Sequence, residues 1–319
     1  MAMKIWILFH EEEDAKTHPE FKSCLCLKEE AQKFGAEARI LNPEHFDMII
    51  DSAKNWQALY KGEVMPVPDL IIARTGTETT YAGFSLLRFY ERIGVTVLNS
   101  WLSIESVADK FQTHQILASQ GLPVPRTILG KFPTDVQMIE EKLGFPVVVK
   151  TLRGTRGGGV FLAETKQQFQ NLTDLIAQAN TNVHFLFQEY ISKSCGRDLR
   201  VYVVGNRVVA VMQRQSTDGN FKANISLGGE GTAFIATPQI TKLAINVTKA
   251  LGLDVAGVDL LFDGDKFKVC EVNSAAALQR QSEICNVNIA REVIMYGLNK
   301  VKARRNQNFL SRFNILKAV

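Results

Sequence analysis

Val147-Val148-Val149-Lys150, followed by the loop Arg153-Gly154-Thr155-Arg156-Gly157-Gly158-Gly159, is the stretch on which the fold turns. A short β-branched run that follows the breaker Gly144-Phe145-Pro146 reads as a buried strand. Lys150 then points from the strand end into whatever lies beyond it. Glycine lets backbone N–H groups approach an anion without side-chain obstruction. Arg153, Arg156 and Lys150 add positive charge, so the loop through Gly157, Gly158 and Gly159 reads as a phosphate cradle. Its spacing is not that of Gly-x-x-x-x-Gly-Lys-Ser/Thr, so it is not a Walker loop.

Downstream lie Gln188-Glu189-Tyr190-Ile191 and then two apolar runs that each carry a carboxylate. These are Ala256-Gly257-Val258-Asp259-Leu260-Leu261-Phe262 and Phe267-Lys268-Val269-Cys270-Glu271-Val272, with Asn273 next. A lone carboxylate in an apolar strand is costly unless paired or metal-bound. Glu271 and Asn273 are two apart and share a strand face. A three-residue loop, Gly264–Lys266, would pair 259 with 271 on the same side. Asp259, Glu271 and Asn273 then offer oxygen ligands only, a set suited to magnesium with room left for water and phosphate oxygens. Between the two motifs, Gly196-Arg197-Asp198-Leu199-Arg200 enters a strand and Arg214 ends the next. Arginine near phosphate makes charge-assisted, often bidentate contacts. The polar, glycine-rich segment Ser216–Gly229 is too long for a hairpin turn and fits a binding loop.

Further out, Lys4–Phe9, Ala36–Leu41, Leu70–Ala73 and Val95–Leu98 are short apolar runs separated by helical patterns such as Glu29–Phe34 and Phe84–Ile93. That alternation predicts a parallel sheet covered by helices. No Gly-x-Gly-x-x-Gly follows the first strand, so a dinucleotide role is unsupported. A helix is expected from about Ser106 to Gly121, a strand at Arg126–Leu129, and a helix at Thr165–Asn180 with Thr165 as N-cap. Gly205-Asn206-Arg207 marks a hairpin. Thr237-Pro238 opens a helix that stops at Gly252, and a last helix runs from Val287 to about Lys302.

The chain has 319 residues, 46% of them hydrophobic and 22% charged, with a net charge of +4. That is the balance of an ordinary globular protein of more than one unit. It is too mildly basic to imply nucleic acid. The odd count of five cysteines has no framework spacing, which argues for reduced thiols and a cytoplasmic location. Cys24-Leu25-Cys26 has no second pair or histidine cluster to make it a metal site. The opening Met1–Phe9 is too short for a signal peptide and reads as a first strand. No apolar run approaches the roughly 18 residues of a membrane span.

From about Leu70 to Ala290 the chain resembles the ATP-grasp ligases, and is most similar to the RimK-like branch. That branch includes a bacterial glutamate ligase and the animal N-acetylaspartylglutamate and β-citrylglutamate synthetases. The resemblance is carried by Arg74-Thr75-Gly76, Asp109-Lys110, Val149-Lys150 with the glycine loop, and Leu186-Phe187-Gln188-Glu189-Tyr190. It continues through Gly196–Val201, Asp218–Gly229, Val255–Asp259 and Glu271-Val272-Asn273. Ser216–Gly229 with Cys285-Asn286 leans toward the animal-type enzymes.

The resemblance implies a mixed α/β and α+β architecture: an ATP-grasp fold behind an N-terminal Rossmann-like pre-ATP-grasp domain. The units would be 1–103, 104–187 with the phosphate loop, 188–302 with the metal hairpin, and a basic tail at 303–319. It implies that Lys110 and Lys150 contact ATP phosphates, that Glu189 and Tyr190 line the adenine, and that Asp198 binds ribose. Lys222 and Asn224 would lie near the nucleotide, and Arg74 and Ser226 near the substrate. Asp259, Glu271 and Asn273 would hold two magnesium ions, or manganese. Arg200 and Arg214 would meet the transferred phosphoryl group.

The implied reaction joins an amino acid, glutamate by default, to a small-molecule or peptide carboxylate through an acyl phosphate, releasing ADP and phosphate. A ligase for another amino acid and a non-catalytic ATP-binding regulator are the alternatives. After Asn273 the chain reads Ser274-Ala275-Ala276-Ala277-Leu278-Gln279, where the branch usually has a small residue and a Ser-Pro-Gly turn. That leaves the acceptor open. No membrane or nucleic-acid partner is expected, and a homo-oligomer, dimer or tetramer, is.

Overall fold

The computed structural model describes residues 2–11, 18, 20–53, 55–152, 159–178, 183–223 and 229–316, without the side chains of 177 and 308–316. The first unit runs β1 (Lys4–Leu8), α1 (Phe21–Lys33), β2 (Glu37–Leu41), β3 (Phe46–Ile49), β4 (Gln57–Tyr60), β5 (Glu63–Val64), β6 (Leu70–Ala73), α2 (Tyr81–Arg92) and β7 (Thr96–Leu98). The four apolar runs form a parallel sheet in the order β2-β1-β6-β7, as their spacing predicts. Its strands read as near-continuous Ile, Leu and Val because helices cover them. The antiparallel meander β3-β4-β5 is an addition to the expected alternation. It is built on short segments such as Gln57-Ala58-Leu59-Tyr60, in which Ala58 and Tyr60 turn inward.

The chain continues through α3 (Trp101–Ala108), α4 (Lys110–Ser119), β8 (Thr127–Lys131), α5 (Val136–Leu143), β9 (Val147–Thr151), β10 (Val160–Ala163), α6 (Lys166–Gln178) and β11 (His184–Glu189). The single helix expected from Ser106 is two. Asp109 adopts an extended backbone and its carboxylate accepts from the N–H groups of Phe111 and Gln112 at 2.8 and 3.0 Å. A cap of this kind ends one helix and starts the next. Thr165 caps α6 as expected, accepting from Gln168 N at 3.2 Å. The four strands form an antiparallel sheet, β10-β9-β11-β8. Its core packs Val147, Val149 and Phe187 against Phe132, Ile139 and Phe169.

The third stretch holds β12 (Arg197–Val204), β13 (Arg207–Gln215), β14 (Glu230–Ala233), α7 (Pro238–Ala250), β15 (Val255–Asp263), β16 (Lys266–Asn273), α8 (Gln279–Cys285) and α9 (Ile289–Leu316). The sheet order is β14-β13-β12-β15-β16, antiparallel throughout. Thr237 caps α7 by accepting from Ile240 N at 3.3 Å. The last helix continues past Lys302 to Leu316. It lies on the first unit, where Arg304 Nη1 donates to Val95 O at 2.9 Å and Arg305 pairs with Asp69. Among the described residues no helix is long and apolar enough to cross a membrane.

Asn99, just past β7, is buried and fastens the first unit to the third sheet. Its amide donates to Val255 O at 2.7 Å and Ser274 O at 3.0 Å, and accepts from the N–H groups of Asp254 and Val255 at 2.8 and 2.9 Å. Asn99→Leu keeps the volume but orphans these backbone groups, each costly to leave unmade. The expected loss is about 3 kcal/mol of stability, read by chemical denaturation; an unchanged unfolding midpoint contradicts it.

Candidate active site

The hairpin β15–β16 pairs Asp259 with Glu271 and Gly257 with Asn273. The pairing matches the sequence reading, but by another route. The turn is the two-residue Gly264-Asp265 between paired Asp263 and Lys266, and a β-bulge between Asp259 and Leu260 leaves Cys270 as the extra residue. A bulge adds one residue to one strand and so shifts the register by one. Without it Glu271 would face the other way.

Cross-strand register also sets the arginines. Arg200 lies opposite Asp259, and Asp198 lies opposite Arg214. Arg200 donates to both Asp259 oxygens at 2.8 and 2.7 Å. Arg214 donates to both Asp198 oxygens at 2.6 Å and stands 3.0 Å from Asp259 Oδ2. Burial alone would raise the Asp259 carboxyl, yet the Arg200 and Arg214 guanidiniums outweigh it and hold the group below its usual value. Asp198, expected to face a ribose, is a buried partner of Arg214 that also lines the cleft.

Lys110 opens α4 and its Nζ lies 3.6 Å from Glu271 Oε1. Lys150, in β9, donates to Gln188 Oε1 at 2.7 Å, with Cys270 Sγ at 3.7 Å. Beyond Lys150, Thr151 N donates to Gly159 O at 3.0 Å. Gly159 has φ +69°, and a Cβ there would stand 2.5 Å from Thr151 Oγ1, so only glycine closes this loop onto the strand. Arg153, Arg156, Gly157, Gly158, Asn224 and Ser226 lie outside the described residues.

The lysines, Arg214 and the hairpin carboxylates Asp259 and Glu271 line one cleft. Tyr190, Phe221 and Lys222 also line it, with the two rings edge to face at 6.5 Å and Lys222 Nζ 5.6 Å from the Phe221 centroid. Glu189 lines it too, but its carboxylate is engaged by Lys268 and by Arg126 N–H. Burial opposes ionisation of Glu189, and these two donors lower its pKa nonetheless. Arg74 lies apart from the cleft. It is buried, and its Nη2 donates to Ala276 O at 2.9 Å. It therefore fixes the Ser274–Gln279 segment, and Ala276 in turn packs so closely on Gly257 that a Cβ there would meet it at 2.5 Å.

The hairpin's chemistry fits a hard cation. Asp259, Glu271 and Asn273 share one face and can present oxygen only. Among the described residues Asn273 Nδ2 is buried without a hydrogen-bond partner. The two ends of an amide are assigned from their surroundings, and a turned amide would direct its oxygen to the same place. The residues that sequence reasoning leaves without a role are Thr127, His114, Lys268 and Cys270. His114 is accessible from its position, four residues after Lys110 on α4 and hence on the same face.

A four-stranded antiparallel sheet with a lysine near the end of β9, and a second antiparallel sheet with an acidic hairpin, the lysine and the hairpin carboxylates lining one cleft, fit the ATP-grasp ligases. The RimK-like ATP-grasp domain matches residues 107–296 and the RimK PreATP-grasp domain residues 3–104, so the chain belongs to the RimK-like ATP-grasp family. It is an ATP-dependent ligase that forms amide bonds. It is 37% identical over 289 residues to a probable alpha-L-glutamate ligase of Legionella pneumophila, covering 90% of this chain and 94% of that protein. Its fold is shared with a RimK domain ATP-grasp protein from Sphaerobacter thermophilus (TM-score 0.69, 20% identity, 92% and 99% of the two chains). It is also shared with the ATP-grasp ligase PsnB in complex with a phosphomimetic precursor variant, Mg and ADP (TM-score 0.70, 18% identity, 94% and 98%).

Arg214→Met leaves Asp198 and Asp259 buried with one guanidinium fewer. The expected cost is about 3–5 kcal/mol of stability at neutral pH. In the native protein Asp259, its carboxyl lowered, contributes stability that is lost as pH falls through its folded value. In the variant an underpaired buried carboxyl takes up a proton on folding and gains. The gap between the two therefore narrows on acidification; a gap in thermal midpoint that stays constant or widens contradicts the account.

Proposed function

We propose that this chain joins an amino acid, glutamate in the first instance, to a carboxylate through an acyl phosphate, converting ATP to ADP and phosphate. The observation that carries the reading is one cleft that sets Lys110 and Lys150 against Asp259 and Glu271, with Arg200 and Arg214 behind the carboxylates. The amino acid is taken from the glutamate ligase to which the chain is 37% identical.

Asp259, Glu271 and Asn273 would hold magnesium, which would neutralise charge on the transferring group. Lys150 and Lys110 would approach the phosphates from two different elements, β9 and α4. The acceptor carboxylate attacks the γ-phosphorus, ADP leaves, and an acyl phosphate forms. The amine then attacks the acyl carbon, phosphate leaves, and the amine gives up a proton as the amide forms. Such transfer needs positioning and charge stabilisation more than covalent help from the protein. Arg200, paired to Asp259 of the hairpin, would meet the transferred phosphoryl group. Tyr190 and Phe221 provide a surface for the purine.

The test is hydroxylamine trapping. With ATP, magnesium and the correct carboxylate but no amine, the chain should yield a hydroxamate and ADP; formation of AMP instead means adenylation and overturns the reading. Glu271→Gln should lower phosphate release by at least about 100-fold, as expected when a group that stabilises transition-state charge is lost. Turnover retained at low magnesium removes Glu271 from the metal set.

A further inference from the structure

Lys150 is held by a chain of hydrogen bonds that returns to the metal hairpin. Lys150 Nζ donates to Gln188 Oε1 at 2.7 Å, and Gln188 Nε2 donates to Thr127 Oγ1 at 2.9 Å. Thr127 Oγ1 is 3.2 Å from His114 Nδ1, and His114 Nε2 is 3.3 Å from the carbonyl oxygen of Cys270. The five residues come from β9, β11, β8, α4 and the bulge of β16. Sequence separation hides the connection entirely.

The donors run in one direction. A carbonyl oxygen accepts only, so His114 Nε2 carries the proton. Burial first, and then the charge of Lys150, lower the imidazole to about 4, so the ring is neutral and has a single N–H. Its Nδ1 is then an acceptor, and the Thr127 hydroxyl supplies the proton. That hydroxyl also lies 2.9 Å from Pro125 O and shares its proton between the two. The Thr127 oxygen is left to accept from the Gln188 amide, which fixes the amide with its oxygen toward Lys150. Hydrogen bonds so aligned polarise one another. The chain thus begins at an ammonium and ends at the peptide between Cys270 and Glu271.

We infer that Gln188, Thr127 and His114 form a positioning relay that holds Lys150 in register with the metal hairpin. It rests on the ATP reading above. None of the three needs to touch the nucleotide. Their action is on where the Lys150 ammonium sits relative to Glu271, across two sheets that share no strand. Lys110 and His114 reinforce this from one helix face, since they stand four apart on α4 and meet Glu271 and the Cys270 carbonyl in turn.

A double-mutant cycle on ATP binding tests the relay. Thr127→Val removes the hydroxyl at constant shape, and should weaken ATP·Mg binding by about tenfold in calorimetry, the loss typical of one buried hydrogen bond. In a Lys150→Met background the same change should cost no more than about twofold, because the relay acts on the nucleotide through Lys150. His114→Gln keeps one acceptor and one donor and should bind ATP·Mg as the native protein does, whereas His114→Leu should match Thr127→Val. An equal loss from Thr127→Val in both backgrounds, or no loss in the native background, overturns the relay and leaves the ligase reading standing. Failure of the native chain to bind ATP·Mg overturns the ligase reading itself.

Discussion

A buried carboxylate gripped by two guanidiniums is the constraint on which the site depends. Asp259 lies in an apolar strand where an unpaired charge is prohibitive. Arg200 holds it in a two-point grip from β12, and Arg214 reaches it from β13 while binding Asp198. Such pairs are poor sources of net stability, because desolvation offsets the attraction. Their presence in a sheet otherwise rich in Val and Leu points to function. The arginines keep the carboxylate ionised in a place too dry for water to do so.

The rest of the cleft is organised around that pair. The bulge at Cys270 turns Glu271 to the side of Asp259 and at the same stroke offers a carbonyl to His114. Local irregularity in a strand is costly in ladder hydrogen bonds and recurs beside active sites for this reason. From His114 the path runs to Lys150, so the proposed metal ligands and the proposed phosphate lysine are tied through side chains rather than along the backbone. Asn99 performs the analogous task on the other flank, clamping Val255 at the start of the hairpin and Ser274 just past its end.

Much of this is legible in the chain because it is local. The Val147–Lys150 strand, the carboxylates in apolar runs, and the caps Thr165 and Thr237 each announce themselves within a few residues. The four parallel strands follow from alternation alone. A three-residue loop predicts the 259–271 pairing, whereas a two-residue turn and a bulge produce it together, so two deviations cancel. What is not legible depends on distance. Asn99 meets partners more than 150 positions away, and the relay spans the interval from His114 to Cys270. The break at Asp109 is local and still departs from the single helix expected there, although Asp before Lys-Phe-Gln is an ordinary N-cap signal. Arg74 donates to Ala276, and that contact too joins residues far apart.

Transfer of oxygen between substrate and phosphate is the most direct test of the account. With a carboxylate substrate labelled with oxygen-18 on both carboxylate atoms, a complete turnover should place one labelled oxygen in the released inorganic phosphate and leave one in the amide. Label in AMP, or phosphate free of label, contradicts activation of the carboxylate by the γ-phosphoryl group in this cleft.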